Sequence, residues 1–554
     1  MKISARGDLW WKTAVVYCLD VEKYLDWNDD GVGDFEGLGH RLDHLAELGV
    51  SCLWLMPFQP SPRRDDGYDI TDFQAIDPRL GTFGDFVEFM RMARDRGMRV
   101  IIDFVMNHTS DRHPWFKDAR RSRDSRFRDF YVWRDKPPKQ QQQLVFPGEE
   151  RSVWEHDERT DQYYLHSFYR HQPDLNIANP DVRDEIAKTM GFWLELGVSG
   201  FRVDAVPFLI APPDGVDIGD PHEFLRDLRR FLQRRSSEAI LLGEVNLPYD
   251  GQLDFFGQPD RPAELTMQFD FPAMQRMYLS LVREDATPLA ETLASRPEIR
   301  VEAQFANFVR NHDELTLDQL SDEERTEVFD ALAPEEWMRV YGRGIVRRLP
   351  PMVDGDPRRI ELMYSLMFAL PGTPVLFYGE EIGMGENPEL GGRMAVRGPM
   401  QWSDERNGGF SRVPARKLVA KPPTDGYAPE HVNVEAQLHD DGSLLSRIRS
   451  FAHRYRSSPE IGWGAFELLE HSERSVLAHR MSADFGSFIA VHNFAPRPVH
   501  LELSLGEVAE DARLSDLFAD TALPIDDRGR VEIEVGAYGY RWFRTVDSED
   551  RRLT

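Results

Sequence analysis

Eight short apolar runs, each closed by polar or charged side chains and most followed by a helix-like stretch, constrain this chain more than any other feature. They cover residues 14–21, 52–58, 99–108, 200–206, 239–246, 265–271, 305–314 and 371–379, the sixth being limited by Asp270 and Pro272. Helix-like stretches lie between them at 38–47, 83–94, 182–196, 221–233 and 273–294. Strand-length apolar runs alternating with longer amphipathic segments specify a parallel sheet, because each return to the same edge needs a crossover. Eight such units predict a (β/α)8 TIM barrel, with polar groups from distant parts of the chain gathered at the C-terminal ends of its strands.

Two stretches interrupt the repeat. Residues 109–179 are rich in Arg, Asp, Lys, Gln and Tyr, include the low-complexity run 138–143, and far exceed an ordinary βα loop of about two to six residues. They read as an inserted domain after strand 3, lying over the active face. Residues 383–434, irregular and carrying Arg393, Arg397 and Trp402, are expected to build the substrate entrance. A last barrel helix at 444–455 precedes runs that alternate every second residue from Ser475 onward, the pattern of a C-terminal antiparallel β-sandwich with a packing role. The expected organisation is therefore 1–108 and 180–460 for the catalytic barrel, 109–179 for the insert and 461–554 for the β-sandwich.

Acidic residues outnumber basic ones by 95 to 67, a formal charge of −28, which argues against nucleic acid as a partner. With a mean hydropathy of −0.50 and no apolar run of 18 residues, no membrane partner is expected either. The N-terminal stretch lacks the apolar core of a signal peptide, so a cytoplasmic location is expected. Cys18 and Cys52, the two cysteines, sit in apolar runs and read as buried free thiols. A homo-oligomer is compatible with all of this.

The chemistry lies at the strand ends. Arg202 and Asp204, two residues apart in an extended run, share one face. Burying both costs several kcal/mol per ion before pairing, which favours a chemical role over a structural ion pair. Asp204, Glu244 and Asp313 close the fourth, fifth and seventh runs and would converge in a closed barrel. Two carboxylates facing one bond are the equipment of a retaining glycosidase. Asp204, kept ionised by Arg202, would be the nucleophile; Glu244, its proton retained by burial and anionic neighbours, the acid and base; Asp313 could bind two sugar hydroxyls as the ring distorts. Separately, Asp26, Asn28, Asp30 and Asp34, with Val32 among them, set oxygen ligands around a glycine-bearing turn, as calcium or magnesium requires. The stretch lacks the terminal Glu of an EF-hand, and a solvated acidic loop is the alternative.

Residues 103–108 (DFVMNH), 200–204 (GFRVD), Glu244 and 308–313 (FVRNHD) resemble the four motifs of the α-amylase superfamily, glycoside hydrolase family 13. The resemblance implies a double displacement with Asp204 as nucleophile, Glu244 as acid and base and Asp313 as transition-state stabiliser. It further implies that His108 and His312 bind sugar hydroxyls, that Arg202 supports the nucleophile, and that Tyr68 stacks on the sugar. Asp65 and Arg397 would clamp the 4-hydroxyl of that sugar. Asn107 and Asp174 match a calcium-binding pair and the 26–34 loop a second structural metal site; no organic cofactor is implied. Within the family the chain is most similar to the trehalose synthase subfamily, through residues 171–176, 311–317, 379–385, 398–402 and 433–437. That implies a small α-glucoside such as maltose or trehalose as substrate, and conversion of maltose to trehalose by intramolecular transglucosylation. The chain departs from the subfamily at 210–216, at 245–248 and at Gly398, all around the acceptor side. The alternative is an exo-acting α-glucosidase or glucosyltransferase using water or another acceptor. A catalytically dead sugar-binding scaffold is disfavoured by the intact carboxylate set.

Overall fold

A computed structural model describes residues 9–138, 144–211, 219–257, 262–506, 511–519 and 521–546. Most of the 138–143 run, residues 212–216 of the loop after the fourth strand and the first eight residues of the N-terminal stretch lie outside them.

All eight apolar runs form strands: β1 (Val16–Leu19), β2 (Cys52–Leu55), β3 (Arg99–Phe104), β4 (Gly200–Val203), β5 (Ile240–Gly243), β6 (Met267–Phe269), β7 (Gln304–Phe308) and β8 (Thr373–Phe377). They pair in sequence order and close through β1 and β8, every pair parallel. Each strand is shorter than its run, and in the third, fourth, fifth and seventh the polar residues at the run's end lie beyond the ladder. Asp204, Glu244 and Asp313 thereby stand beyond the last paired residues, at the open C-terminal rim. Register matters here: Asp103 on β3 pairs with Arg202 on β4, setting a carboxylate beside the guanidinium across neighbouring strands.

The helices follow their local signals. Phe83–Asp95 opens on a capping box between Thr82 and Asp85, and Pro180–Glu195 on an Asn179 cap with proline in the first turn. Two expected helices are each divided. The stretch 38–47 falls in Phe35–His40 and Leu42–Leu48, and 273–294 in Phe271–Arg283 and Thr287–Ala294, the second break lying at Glu284 in the left-handed region (φ 53°). The insert holds a helix, Pro114–Ala119, and a three-stranded antiparallel sheet of Trp133–Arg134, Gln162–Leu165 and Trp154–Asp157. Isolated bridges from His108 to Asp174 and from Tyr131 to Leu175 tie its end to the barrel rim.

The C-terminal region is a two-layer sandwich of β9 (Ala465–Leu468), β10 (Val476–Ala483), β11 (Gly486–Asn493), β12 (Val499–Ser504), β13 (Arg513–Asp516), β14 (Ala522–Pro524), β15 (Arg530–Val535) and β16 (Tyr540–Val546). One sheet has the order β9-β10-β11-β16-β13-β14, and the other pairs β12 with β15. Alternation sorts its faces: Ile489, Val491 and Phe543 meet Leu501, Leu503 and Ile533 between the layers, while Phe488 and Trp542 join the barrel core. Cys18 and Cys52 are buried and unbridged. No helix among the described residues is long and apolar enough to cross a membrane.

The β4–β5 pairing leaves no room at the start of β4. A Cβ on Gly200 would stand 2.6 Å from the Ile240 carbonyl oxygen and 2.7 Å from its side chain, at φ +155°. Gly200→Ala is therefore expected to destabilise the fold by about 2 kcal/mol or more, read from urea unfolding.

Candidate active site

Arg202 is fully buried at the barrel axis and holds three carboxylates. Its Nη1 donates to Asp103 Oδ1 at 2.7 Å and to Asp204 Oδ1 at 2.5 Å, and its Nη2 donates to Glu244 Oε2 at 2.6 Å. Asp103 is fixed in turn by Trp54 Nε1 (2.8 Å) and by the Tyr68 hydroxyl (3.1 Å). Directly after Asp204 the chain bends through Ala205 in the left-handed region (φ 47°), and the Ala205 and Val206 amides donate to the Glu244 side chain and carbonyl. A non-glycine residue held there carries backbone strain of the kind found where a site must be shaped.

Across from this fork, Asp313 Oδ1 accepts from Arg393 Nη1 at 2.7 Å and from Arg397 Nη2 at 2.9 Å, and Asp313 Oδ2 lies 3.1 Å from His312 Nε2. His312 Nε2 also lies 2.6 Å from the Tyr68 hydroxyl, the two rings stacked 5.5 Å apart. Arg393 Nη2 reaches Asp65 Oδ1 at 2.8 Å and its guanidinium lies over the Phe146 ring, so one arginine bridges Asp65 and Asp313.

These groups face a cavity of about 740 Å³, a size that suits a disaccharide. Asp204, Glu244, Asp313, Asp65, Tyr68, His108 and Arg393 line it, together with an apolar side of Phe168, Pro207, Phe208, Ala211, Leu247 and Phe271. Burial pushes Asp204 up to about 6 even though Arg202 opposes it, so Asp204 is ionised at neutral pH through a near balance rather than by Arg202 alone. Burial also pushes Glu244 up to about 7, with Arg202 opposing and Asp204 and Asp313 adding to the rise. Burial would raise Asp313 as well, but His312, Arg393 and Arg397 outweigh it and hold Asp313 well below the usual carboxylate range. One carboxyl near neutrality and two anions is the division of labour that acid and nucleophile chemistry needs. His108 is pushed down to about 4 by burial, is neutral, and donates from Nε2 to the Tyr68 carbonyl at 3.2 Å.

Arg202, His312 and Arg397, expected near the sugar, are buried behind this lining and reach the cavity through Asp204, Asp313 and Tyr68. Asp65 and Arg397, expected to clamp one sugar hydroxyl, make no contact with each other. Arg397 turns inward, donating to Asp66 Oδ2 (2.9 Å) and the His312 carbonyl (2.7 Å), and Arg393 takes Asp65 instead. A separation of four positions between the two arginines is enough to send their side chains to different carboxylates. Asp103 was read only as part of a motif; its opposition to Arg202 follows from strand register, which a single sequence does not display. Phe146, Glu314 and Arg343 also line the cavity without any local pattern to mark them.

The metal expectations divide. Asn107 Nδ2 donates to Asp174 Oδ1 (3.1 Å), and Asp174 also accepts from the Ser167 hydroxyl (2.5 Å) and amide (3.0 Å). That pair is hydrogen-bonded to itself and to Ser167, and burial pushes Asp174 up to about 7. Among the described residues, Asp20, Glu22 and Asp66 form the one set of three such groups whose ligand atoms lie within 4.8 Å. Lys23, Arg63, Arg79 and Arg397 already neutralise it. The 26–34 loop does fit a hard cation: Asp26 and Asp34 are buried near one another, burial first and Asp26 after it raise Asp34, and no Lys or Arg among the described residues pairs with either. Its oxygens accept backbone amides within the loop, Asp34 Oδ2 from Trp27 and Asn28, Asp26 Oδ2 from Gly31, Asn28 Oδ1 from Asp30, and Asp30 Oδ1 from Val32.

The family model described as the α-amylase catalytic domain matches residues 21–333 and 347–463, and that of the sucrose hydrolase-like C-terminal domain matches 486–544. A trehalose synthase of Pimelobacter sp. is 41% identical over 98% of this chain and 96% of its own length. A trehalose synthase of Thermus thermophilus is 43% identical over 97% of this chain, which spans 55% of that relative. The trehalulose synthase of Pseudomonas mesoacidophila superimposes with a TM-score of 0.75 at 25% identity, covering 97% of this chain and 99% of its own.

Two outcomes are expected. Activity should follow a narrow bell in pH: protonation removes the Asp204 nucleophile as pH falls through about 6, and deprotonation removes the Glu244 acid as pH rises through about 7. A kcat/KM profile flat from pH 5 to 9 would contradict this assignment. Arg202→Met strands three carboxylates, two of them buried, and should cost about 3–5 kcal/mol in urea unfolding.

Proposed function

Because this chain belongs to the α-amylase family, glycoside hydrolase family 13, we propose that it converts maltose to trehalose by moving one glucosyl unit between two oxygens of the same glucose. Glucosyl-transfer and isomerisation chemistry on small α-glucosides is the common ground of its relatives, and the chain is an α-glucosyl-acting enzyme. The finer reading is supported above all by the form of the cavity. The Asp65–Arg393–Asp313 bridge walls one end, which suits a terminal glucose and excludes the interior of a long chain.

In the first half-reaction an Asp204 oxygen attacks the anomeric carbon of the terminal glucose, and the bond from that carbon to the bridging oxygen breaks. Glu244 delivers its proton to that oxygen, releasing glucose and leaving a glucosyl ester on Asp204. The shared Arg202 fork holds both carboxylates on one guanidinium. Asp313, ionised and held by three cationic or polar neighbours, stabilises positive charge developing on the distorted ring. In the second half-reaction the anomeric hydroxyl of the released glucose attacks, Glu244 takes its proton, and the ester bond breaks. Two inversions leave an α,α-1,1 bond, and no water is consumed. The apolar side formed by Phe168, Phe208 and Leu247 offers few polar groups to hold glucose in one orientation, so it can turn before attack.

A hard cation, when bound in the 26–34 loop, would be held by Asp26, Asn28, Asp30 and Asp34 with the Val32 carbonyl, and would supply charge neutralisation to that loop. Asp34 also caps the helix Phe35–His40 through the Gly37 amide, so the cation would stiffen the connection after β1 and take no part in the chemistry.

Incubating the protein with maltose and resolving products over time should give trehalose together with a minor share of glucose. Glucose alone at every time point would assign the chain to exo-acting hydrolysis instead. Asp204→Ala should lower turnover of maltose by at least about 10³-fold.

A further inference from the structure

The bridge at the cavity wall is one end of a longer charged series. Asp20, Lys23, Asp66, Arg397, Asp313, Arg393 and Asp65 alternate in sign, and each neighbouring pair is in contact. Lys23 Nζ donates to Asp20 Oδ2 at 2.9 Å and to both Asp66 oxygens at 2.8 Å. Asp66 Oδ2 accepts from Arg397 Nη1 at 2.9 Å, and Arg397 Nη2 donates to Asp313 Oδ1 at 2.9 Å. Arg393 completes the series from Asp313 to Asp65. Asp20, Lys23, Asp66 and Arg397 are all buried, and none of the four lines the cavity.

The backbone is bent to make this possible. Asp66 sits in the left-handed region (φ 48°), so that Asp65 faces the cavity while Asp66 faces the interior. Such a conformation costs of order 1–2 kcal/mol for a residue with a side chain. Asp66 also draws Arg63, which together with Arg79 balances Glu22 at the side of the series. The Lys23 carbonyl accepts the Met400 amide, tying the segment after β1 to the loop that carries Arg397.

We propose that Lys23 is a positioning residue for Asp313, acting through Asp66 and Arg397. Asp66 is shared between Lys23 and Arg397. With Lys23 removed, Arg397 would be the main cation left for a buried Asp66, and a guanidinium turned to meet both oxygens of Asp66 cannot also hold Asp313 Oδ1. Lys23 therefore sets how far Arg397 leans toward the cavity, and with it the position of the carboxylate that must meet the distorted sugar ring. The effect belongs to kcat, because the interaction strengthens on the way to the transition state.

This rests on the reading of Asp313 as the transition-state stabiliser, so Asp313→Asn is measured alongside. Cleavage of p-nitrophenyl α-glucoside is the readout, since it reports glucosyl transfer whether water or a sugar is the acceptor. Lys23→Met should lower kcat by about 10- to 100-fold with KM within about threefold. Adding Asp66→Asn to it removes the unpaired charge and should return kcat to within about fivefold of the parent; the fall in kcat without a matching change in KM is the readout that a purely structural role would not give. Parent-like kcat in folded Lys23→Met, or a double variant no better than Lys23→Met, would overturn the proposal. Should Lys23→Met not fold, the double variant decides: kcat near the parent supports the proposal, and a loss of about 10-fold or more overturns it. If Asp313→Asn keeps full activity, the reading of Asp313 itself fails, whereas a crippled Asp313→Asn beside an unaffected Lys23→Met refutes only the link through Lys23.

Discussion

One buried guanidinium organises the rim of this barrel. Arg202 gathers Asp103, Asp204 and Glu244 from three adjacent strands, and without a shared cation those carboxylates would repel one another at close quarters. Arg202 does not simply make its neighbours more acidic. Burial raises Asp204 and Glu244 more than Arg202 lowers them, and they settle about one unit apart near neutrality. Glu244 is the higher of the two, and a double displacement asks one carboxyl to be an anion while the other keeps a proton.

The opposite side of the cavity uses the reverse arrangement. Asp313 receives two arginines and a histidine and is kept fully anionic, and the same arginines carry its charge into the wall at Asp65 and into the interior at Asp66. The two sides differ in how many cations reach the reacting carboxylate: Asp204 and Glu244 share one guanidinium with Asp103, whereas Asp313 alone is touched by two.

Much of this was legible in the residues. The eight strands were found in place because strand-length apolar runs closed by polar residues are a local signal, and the sandwich because its strands alternate by twos. Asp204, Glu244 and Asp313 could be singled out because each closes a run. The division of the helices at Arg41 and Glu284 was not visible, since neither position carries a glycine or proline to announce a break. Nor was the partner of Asp65. Arg393 and Arg397 lie four residues apart in a region of short turns without regular periodicity, where spacing does not predict direction.

The sequence alone determined the barrel, the order of its strands and the family to which its motifs point, because these depend on patterns carried within each segment. Tertiary structure decided which charges meet. Asp103 beside Arg202, Arg393 against Asp65, and Lys23 behind Asp66 join residues 99, 328 and 43 positions apart. The physical reason is that an ion pair a few ångströms long is set by strand register and loop direction, and both are settled only when the barrel closes.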